Sequence, residues 1–538
     1  MRRCRVLLLF SSCLLVGVLP VTAQNVQVSS ALPSQTTQGT VNLDVTVAGN
    51  GFKQGAQAQW FVSGSINPGG VTVNSTTFVS SSQLTANITV STTATISSYD
   101  ISVTNKNGSS GKGTGLFSVN AGNGNQNQAC LLQPLPSAFT QMGTLNYVNS
   151  SGTAQYSGAF GLSVRVFPLT LGSKNVLVTV VGSGGSQLLD VFFVDPLTGS
   201  VLDGTAIGTN TSIQPHLTKS IATKPGNTVI GDFNGDGVPD FAAGHLGSAY
   251  AFLGSIDGAT GVLSYSDAIP LVPPNANNDF ASDIAAADLN GDGRDEIVVA
   301  AGAANSGSNP NQVFLFRFDP LTSTFGVYQT FNDPAPHSKS GFGRSVTVGD
   351  ITGAANIDLI VGGSDAIYVY PGPDFTSSFT LPLKTLAAGT GNMDGGSFQD
   401  LLSAAQGGGS IFSGPVYSTE SPAFTIAPVS GVAGIWPTGL AIGDVNHDGL
   451  ADIVVGAPDN LATANCPAAG GSAYVFLTNP ATPDQPVRYL LQPPRMGRGY
   501  GESAAVAPPP YNIFFVGENG GDVAPGDTAG QVWIYKVN

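Results

Sequence analysis

Three stretches of this chain superimpose without a gap: Gly231-Asp232-Phe233-Asn234-Gly235-Asp236-Gly237-Val238-Pro239-Asp240, Ala287-Asp288-Leu289-Asn290-Gly291-Asp292-Gly293-Arg294-Asp295-Glu296, and Gly443-Asp444-Val445-Asn446-His447-Asp448-Gly449-Leu450-Ala451-Asp452. Each runs into an apolar segment, such as Ile297-Val298-Val299-Ala300 or Ile453-Val454-Val455-Gly456. Self-similarity in a fixed register means one supersecondary unit, repeated and stacked. A fourth copy, Gly349-Asp350-Ile351-Thr352-Gly353-Ala354-Ala355-Asn356-Ile357-Asp358, is eroded, and a fifth around Gly391-Asn392-Met393-Asp394-Gly395 needs a short insertion to reach Asp400. An aromatic stands eight residues before the first Asp in three copies, at Phe280, Phe342 and Trp436, and Lys224-Pro225 holds the equivalent place before Asp232. Phe160-Gly161 and Tyr500-Gly501 repeat the aromatic-Gly pair without an acidic loop. Counted together these make seven units over residues 130–538, about 58 residues each, the size of a four-stranded propeller blade with a generous loop. The 70 Gly and 35 Pro suit many short strands and tight turns, and no long amphipathic helical face is visible. The predicted fold is all-β: a seven-bladed β-propeller.

The repeat resembles the FG-GAP repeat of integrin α-subunit propellers and their bacterial relatives. Phe342-Gly343 matches the FG element, Gly456-Ala457-Pro458 the GAP element, and the acidic loop lies between them in the repeat. The resemblance implies that ions in these loops brace one face of the propeller while ligands meet the other.

The loop pattern Asp-x-Asn-x-Asp-Gly-x-x-Asp carries its own chemistry. A hard cation such as Ca2+ takes six to eight oxygens from carboxylates, amides and backbone carbonyls. Side chains at positions one, three and five converge, Gly at six allows the turn that brings the seventh carbonyl round, and an acid at nine closes the shell. The candidate calcium ligands are Asp232, Asn234, Asp236, the Val238 carbonyl and Asp240; Asp288, Asn290, Asp292, the Arg294 carbonyl and Glu296; and Asp444, Asn446, Asp448, the Leu450 carbonyl and Asp452. An EF-hand opens the same way but needs a Glu at position twelve and flanking helices; position twelve here is Ala243, Val299 or Val455, within apolar strand sequence. A metal-free surface turn of Asp, Asn and Gly is the plain alternative for one such loop, and three copies argue against it. The fourth loop, with Thr352 and Ala354 at ligand positions, is expected to bind weakly or not at all, keeping Asp350 and Asp358 as turn formers.

Residues 24–121 alternate with period two, as in Val41-Asn42-Leu43-Asp44-Val45-Thr46-Val47, between turns such as Gly49-Asn50-Gly51 and Asn107-Gly108. Such spacing predicts an immunoglobulin-like β-sandwich ahead of the propeller. Val47-Ala48-Gly49-Asn50-Gly51-Phe52, Gln83-Leu84-Thr85-Ala86 and Asp100-Ile101-Ser102-Val103-Thr104-Asn105 resemble the IPT/TIG domains of bacterial surface proteins, which bind or space and rarely catalyse. Residues 122–129 read as a linker.

Residues 1–23 read as a secretory signal: Arg2, Arg3 and Arg5, an apolar run from Val6 to Val18, and Val21-Thr22-Ala23 before the cut. The run is shorter than a membrane span, and no second hydrophobic span follows, so no membrane insertion is expected after cleavage. The expected location is secreted, cell-surface or periplasmic. The chain has 19 Lys and Arg against 34 Asp and Glu; losing the three signal Arg leaves 16 basic residues and a net charge of −18. Such a charge disfavours nucleic acid and anionic membranes as partners and favours cations. Cys130 and Cys466 then remain, either as one disulfide or as two free thiols.

Signatures of catalysis are weak. The four His, at 216, 245, 337 and 447, show no metal-ligand pairing, and His447 reads as a solvated turn residue. Gly501-Glu502-Ser503-Ala504-Ala505 only approaches a nucleophile elbow, and Gly111-Lys112-Gly113-Thr114 is better read as a turn than a phosphate loop. The expectation is a non-enzymatic, exported calcium-binding adhesion or ligand-binding protein that meets a protein or glycan at a propeller face, its oligomeric state open. The alternative is an exported carbohydrate-active enzyme or its carbohydrate-binding accessory, which polar groups converging on the central channel would favour.

Overall fold

The computed structural model describes residues 26–538 except 39, 41, 92–93, 121–134, 147–159, 185–186, 203–216, 276, 303–310, 335–339, 355, 407, 428–436, 459–470, 493–498 and 520–529. The signal segment 1–23, the linker 122–129, Cys130, Cys466, Trp436, His216 and His337 lie outside the described residues. The chain divides into two units, Met1–Leu131 and Leu132–Asn538. The described residues contain no helix, and so none long and apolar enough to cross a membrane.

The first unit holds β1 (Gln27–Leu32), β2 (Gln35–Thr37), β3 (Leu43–Asn50), β4 (Gln57–Val62), β5 (Val71–Ser80), β6 (Gln83–Val90), β7 (Ser97–Thr104) and β8 (Ser110–Asn120). They form two four-stranded sheets, β1-β3-β6-β5 and β2-β8-β7-β4, with β2 parallel to β8. The period-two pattern sends Val45, Val47, Leu84, Ala86 and Ile88 inward to meet Trp60, Tyr99, Ile101 and Phe117 in a single core. Burying aromatics of this size contributes about 1.5–3 kcal/mol each. The alternation is interrupted at Asp100, which is buried in β7. Its carboxylate accepts the Ser63 hydroxyl at 2.6 Å and the amides of Gly64 and Gly115, and pairs with Lys112 at 2.6 Å. Burial opposes that charge, but these partners together hold the carboxyl well below its usual range.

The second unit begins with β9 (Phe139–Leu145) and continues β10 (Phe160–Leu171), β11 (Lys174–Ser183), β12 (Leu188–Val194), β13 (Leu217–Ser220), β14 (Asn227–Gly231), β15 (Asp240–His245), β16 (Ser248–Phe252), β17 (Gly254–Ile256), β18 (Leu263–Tyr265), β19 (Ile269–Leu271), β20 (Phe280–Ala287), β21 (Glu296–Ala301), β22 (Gln312–Asp319) and β23 (Thr324–Asn332). There follow β24 (Ser345–Gly349), β25 (Asp358–Gly362), β26 (Ile367–Tyr370), β27 (Phe379–Leu381), β28 (Ala387–Gly391), β29 (Asp400–Ala405), β30 (Gly408–Phe412), β31 (Phe424–Ile426), β32 (Leu440–Gly443), β33 (Asp452–Ala457), β34 (Ser472–Leu477), β35 (Val487–Leu491), β36 (Tyr500–Val506), β37 (Ile513–Glu518) and β38 (Gln531–Val537).

These strands form antiparallel four-stranded sheets in chain order: β10-β11-β12-β13, β14-β15-β16-β19, β20-β21-β22-β23, β24-β25-β26-β27, β28-β29-β30-β31, β32-β33-β34-β35 and β36-β37-β38-β9. A small ribbon, β17-β18, hangs on the second. The first strands make a ring: β10 lies beside β14, then come β20, β24, β28, β32 and β36, and β36 returns to β10. The unit is therefore a β-propeller. Separate apolar clusters fill the interfaces between neighbouring sheets, for example Val178, Phe193, Phe241 and Phe252 between the first two. Second strands such as β21 and β33 are buried at every residue, as the unbroken apolar runs after the acidic loops require. The ring closes with β9, whose residues pair with β38 from Val537↔Phe139 to Val532↔Leu145.

The aromatic-Gly element has a physical cause. Phe160, Phe280, Phe342 and Tyr500 are fully buried, and the next residue has positive φ each time: 86° at Gly161, 66° at Ala281, 80° at Gly343 and 92° at Gly501. Only Gly takes that conformation without strain. The partner glycine is forced by close approach, since a Cβ on Gly456 would lie 1.6 Å from the Gly501 carbonyl oxygen of the next sheet. Side chains tie the same carbonyls across interfaces. The Ser503 hydroxyl donates to Gly161 O, Ser163 to Pro225 O and Ser282 to Gly343 O, each at 2.8 Å, and Asn227 Nδ2 donates to Ala281 O at 3.0 Å. Pro225 thus takes the bond that the aromatic-Gly element takes elsewhere, which supports the register read from Lys224-Pro225.

Candidate functional site

The acidic loops connect the first and second strands of their sheets, so both loop ends are pinned by a β-ladder: Gly231 pairs with Asp240, Ala287 with Glu296 and Gly443 with Asp452. Inside, the first Asp gathers the loop's own amides. Asp232 Oδ1 accepts from Gly235 N (2.8 Å) and Asp236 N (3.1 Å), and Oδ2 from Gly237 N (2.8 Å). Asp288 does the same with Gly291, Asp292 and Gly293, and Asp444 with Asp448 and Gly449. The Asn at position three accepts the amide of position five, and its Nδ2 donates to that Asp at 3.0, 3.2 and 3.0 Å in the three loops. Positions one, three and five therefore face one another. Position four is left-handed, at Gly235 (φ 76°), Gly291 (76°) and His447 (60°), one of the few non-Gly residue types that adopt this region with any frequency. His447 is exposed, as a turn residue should be.

The closing acid does something the sequence reading did not foresee. Asp240, Glu296 and Asp452 are buried, and each accepts the amide of the residue seven positions earlier: Phe233 (2.8 Å), Leu289 (2.9 Å) and Val445 (2.9 Å). Asp240 Oδ1 also accepts Gly254 N at 2.6 Å, and Asp452 Oδ1 accepts Thr478 N at 2.8 Å. The eroded loops share this device. Asp358 takes Ile351 N and Gly372 N, and Asp400 takes Met393 N and Gly414 N. The closing acid is a structural anchor in all five loops, so Asp358 is more than the turn former expected. In the fourth loop the Thr352 hydroxyl donates to Asp358 Oδ1 at 3.1 Å, occupying an oxygen of the closing acid.

A second unforeseen tie links loops of consecutive sheets. The amide at position eight donates to the carbonyl at position one of the preceding loop: Asp295 to Asp232 (2.9 Å), Gln399 to Asp350 (3.2 Å) and Ala451 to Asn392 (2.6 Å). Asp295 adds its carboxylate on Asp232 N at 2.9 Å. Backbone amides leave no trace in residue type, so no sequence signal could have found these bonds.

Electrostatically the loops are overloaded. Burial pushes Asp240, Glu296 and Asp452 up to about 7, and the two neighbouring loop carboxylates push the same way. Among the described residues no three acid, His or Cys side chains are already gathered around a common point. The donor set nonetheless fits a hard cation. A carboxylate has about four acceptor positions; Asp232 uses three and Asp240 two. Calcium would supply the positive charge that three mutually repelling carboxylates lack. The sites would be held by Asp232, Asn234, Asp236, Asp240 and their counterparts, with the carbonyls of Val238, Arg294 and Leu450.

Away from the loops, Arg165 and Asp283 stand on inner strands β10 and β20. Asp283 accepts the amides of Ile284 and Val346, both at 2.9 Å, and Arg165 Nη1 donates to Val164 O at 2.8 Å. Burial raises Asp283 to about 6 despite the opposing pull of the Arg165 charge.

Residues 280–316 and 436–476 match the FG-GAP repeat family. They span the second and third acidic loops with the strands around them. No curated protein matches the chain. Among solved structures the chain is similar to one described as "Structure of Dos1 propeller", at 12% identity and a TM-score of 0.39, over 95% of this chain and 96% of that one.

Proposed function

We propose that the chain is an exported, non-enzymatic adhesion or ligand-binding protein: an immunoglobulin-like, IPT/TIG-like module followed by a seven-bladed FG-GAP propeller braced by calcium. The observation that carries the calcium reading is a contrast within the molecule. The fourth and fifth loops keep the turn and the buried closing acid with fewer side-chain oxygens at the other ligand positions. The turn therefore does not require a carboxylate at both position one and position five. Loops one to three carry them all the same, at the cost of mutual repulsion in a strongly acidic chain. A bound cation is the partner that offsets this repulsion, and the amide ties between loops would carry the added rigidity into the next blade. The remaining blade faces are left for a protein or glycan ligand, recognised by loops and not by nucleic-acid-like charge.

Calorimetric titration of the mature chain with calcium tests this reading. Uptake is expected at dissociation constants of about 10⁻⁴ to 10⁻³ M. Asp236→Ala and Asp448→Ala should each abolish one equivalent, and Asp350→Ala none. Absence of uptake at millimolar calcium, with melting unchanged by chelator, would show the loops to be turns only.

A further inference from the structure

The second loop departs from its siblings at the closing acid. Asp240, Asp358, Asp400 and Asp452 each place Oδ1 on a backbone amide from beyond the second strand. Glu296, one methylene longer, meets a side chain there instead. Arg317 Nε stands 3.1 Å from Glu296 Oε1, an ion pair by distance and not a directed hydrogen bond. Asn290 Nδ2 donates to the same oxygen, while Oε2 takes the Leu289 amide. The guanidinium is held in place, with its carbon 3.4 Å from the centroid of the Tyr328 ring. Glu296 is 3% exposed and Arg317 27%, so solvent screens the pair only in part.

We propose that Arg317 is a built-in counter-cation of the second loop, so that Asp288, Asn290, Asp292 and Glu296 take calcium more weakly than the third loop does and more weakly than they would without it. The inference rests on the calcium reading above and ranks the second site below the third. A divalent ion entering this loop must share Glu296 with a positive charge; among the described residues no such ion pair forms at Asp452, while the first loop has a cation of its own in Arg294, which packs against Gly235. Even at a permittivity close to that of water, a +1 charge about 5–6 Å away weakens the binding of a +2 ion about tenfold, so for this partly screened pair tenfold is the lower bound. Stacking on Tyr328 opposes the simplest escape, which is to swing the guanidinium into solvent. The pairing also explains why this loop alone closes with Glu: the longer acid reaches the guanidinium on β22.

The test uses the full chain carrying Asp236→Ala and Asp448→Ala, which silences loops one and three, titrated with calcium chloride by calorimetry. Arg317→Gln should tighten the remaining site about tenfold or more, whereas Arg317→Lys, which keeps the charge, should stay within about twofold of the parent. Tyr328→Ala removes the ring that holds the guanidinium beside the loop and should shift affinity in the same direction as Arg317→Gln, an independent arm should that variant fold poorly. Unchanged or weaker binding in both variants overturns the proposal. Titration of the chain with loops one and three intact separates the two failures: uptake there with no Arg317 effect leaves the calcium reading standing, and no uptake in any loop removes both.

Discussion

The closing acid and the exposed loop acids are predicted to fail differently when removed. Asp240→Ala strips the partner from two buried amides, Phe233 N and Gly254 N. At about 1–3 kcal/mol for each buried group left unsatisfied, the loss is about 2–6 kcal/mol even in chelator, and the loss of a calcium ligand adds to it when calcium is present. Asp236→Ala frees only the Val238 amide and the Asn234 amide group at the exposed end of the loop, where water replaces the carboxylate, so the cost in chelator is about 0–1 kcal/mol. With calcium at 100 times the dissociation constant, Asp236→Ala should additionally forfeit about 2.7 kcal/mol. For a unit of about 400 residues, an unfolding entropy of about 2 cal/mol/K per residue makes 1 kcal/mol worth about 1 °C. Scanning calorimetry in chelator should place Asp240→Ala about 2–6 °C below wild type and Asp236→Ala within about 1 °C. Adding calcium should open a gap for Asp236→Ala. Asp400→Ala, in a loop without the acid set, should lose stability equally in both conditions. Equal melting of Asp240→Ala and wild type in chelator would refute the anchor. Equal loss from Asp236→Ala and Asp240→Ala would refute the division of labour.

Two further outcomes follow. Asp190 is buried in β12 beneath the hydroxyls of Thr218 and Ser183, and burial pushes it up to about 7. Its folded value lies above the unfolded value of about 3.9, so its contribution is full below about pH 4 and is lost as pH rises to about 7, a change of about 4 kcal/mol. Asp190→Asn should therefore gain on wild type in urea melts at pH 8 compared with pH 5, in saturating calcium; a constant difference between the two proteins would count against it. The non-enzymatic reading expects no turnover of polysaccharides or esters by the mature chain with calcium present. Turnover that survives repurification and falls in Asp283→Asn would overturn it in favour of chemistry at the Arg165–Asp283 pair.

What could be read from the sequence was what is local. The loop register and the buried aromatic before it were legible because each lies within a dozen residues and needs particular residue types. Lys224-Pro225 was placeable only by counting, and its carbonyl does take the equivalent bond. The long-range partners were not legible. Gly254 and Gly414 reach the closing acids through backbone amides, which any non-proline residue could supply. Glu in place of Asp at position 296 was the one visible sign of Arg317, but its meaning depends on where β22 runs. The strand Phe139–Leu145 gave no hint that its partner lies nearly four hundred residues later, because pairing register is a property of two strands and not of either alone.

That last pairing has a consequence for the order of events during synthesis. The seventh sheet draws one strand from the start of the unit and three from its far end, so β9 waits without a partner until β38 has been made. Until then Phe139 cannot pack against Phe514, and the cluster uniting Phe160, Phe192, Phe515 and Ile534 lacks half its members. Forming such a contact between distant segments is slow compared with closing a hairpin. A chain destined for export, as proposed, must be threaded through a membrane before it sets. If the chain is exported as proposed, a latch made of residues near opposite ends of the unit would keep the ring from closing until both ends have passed.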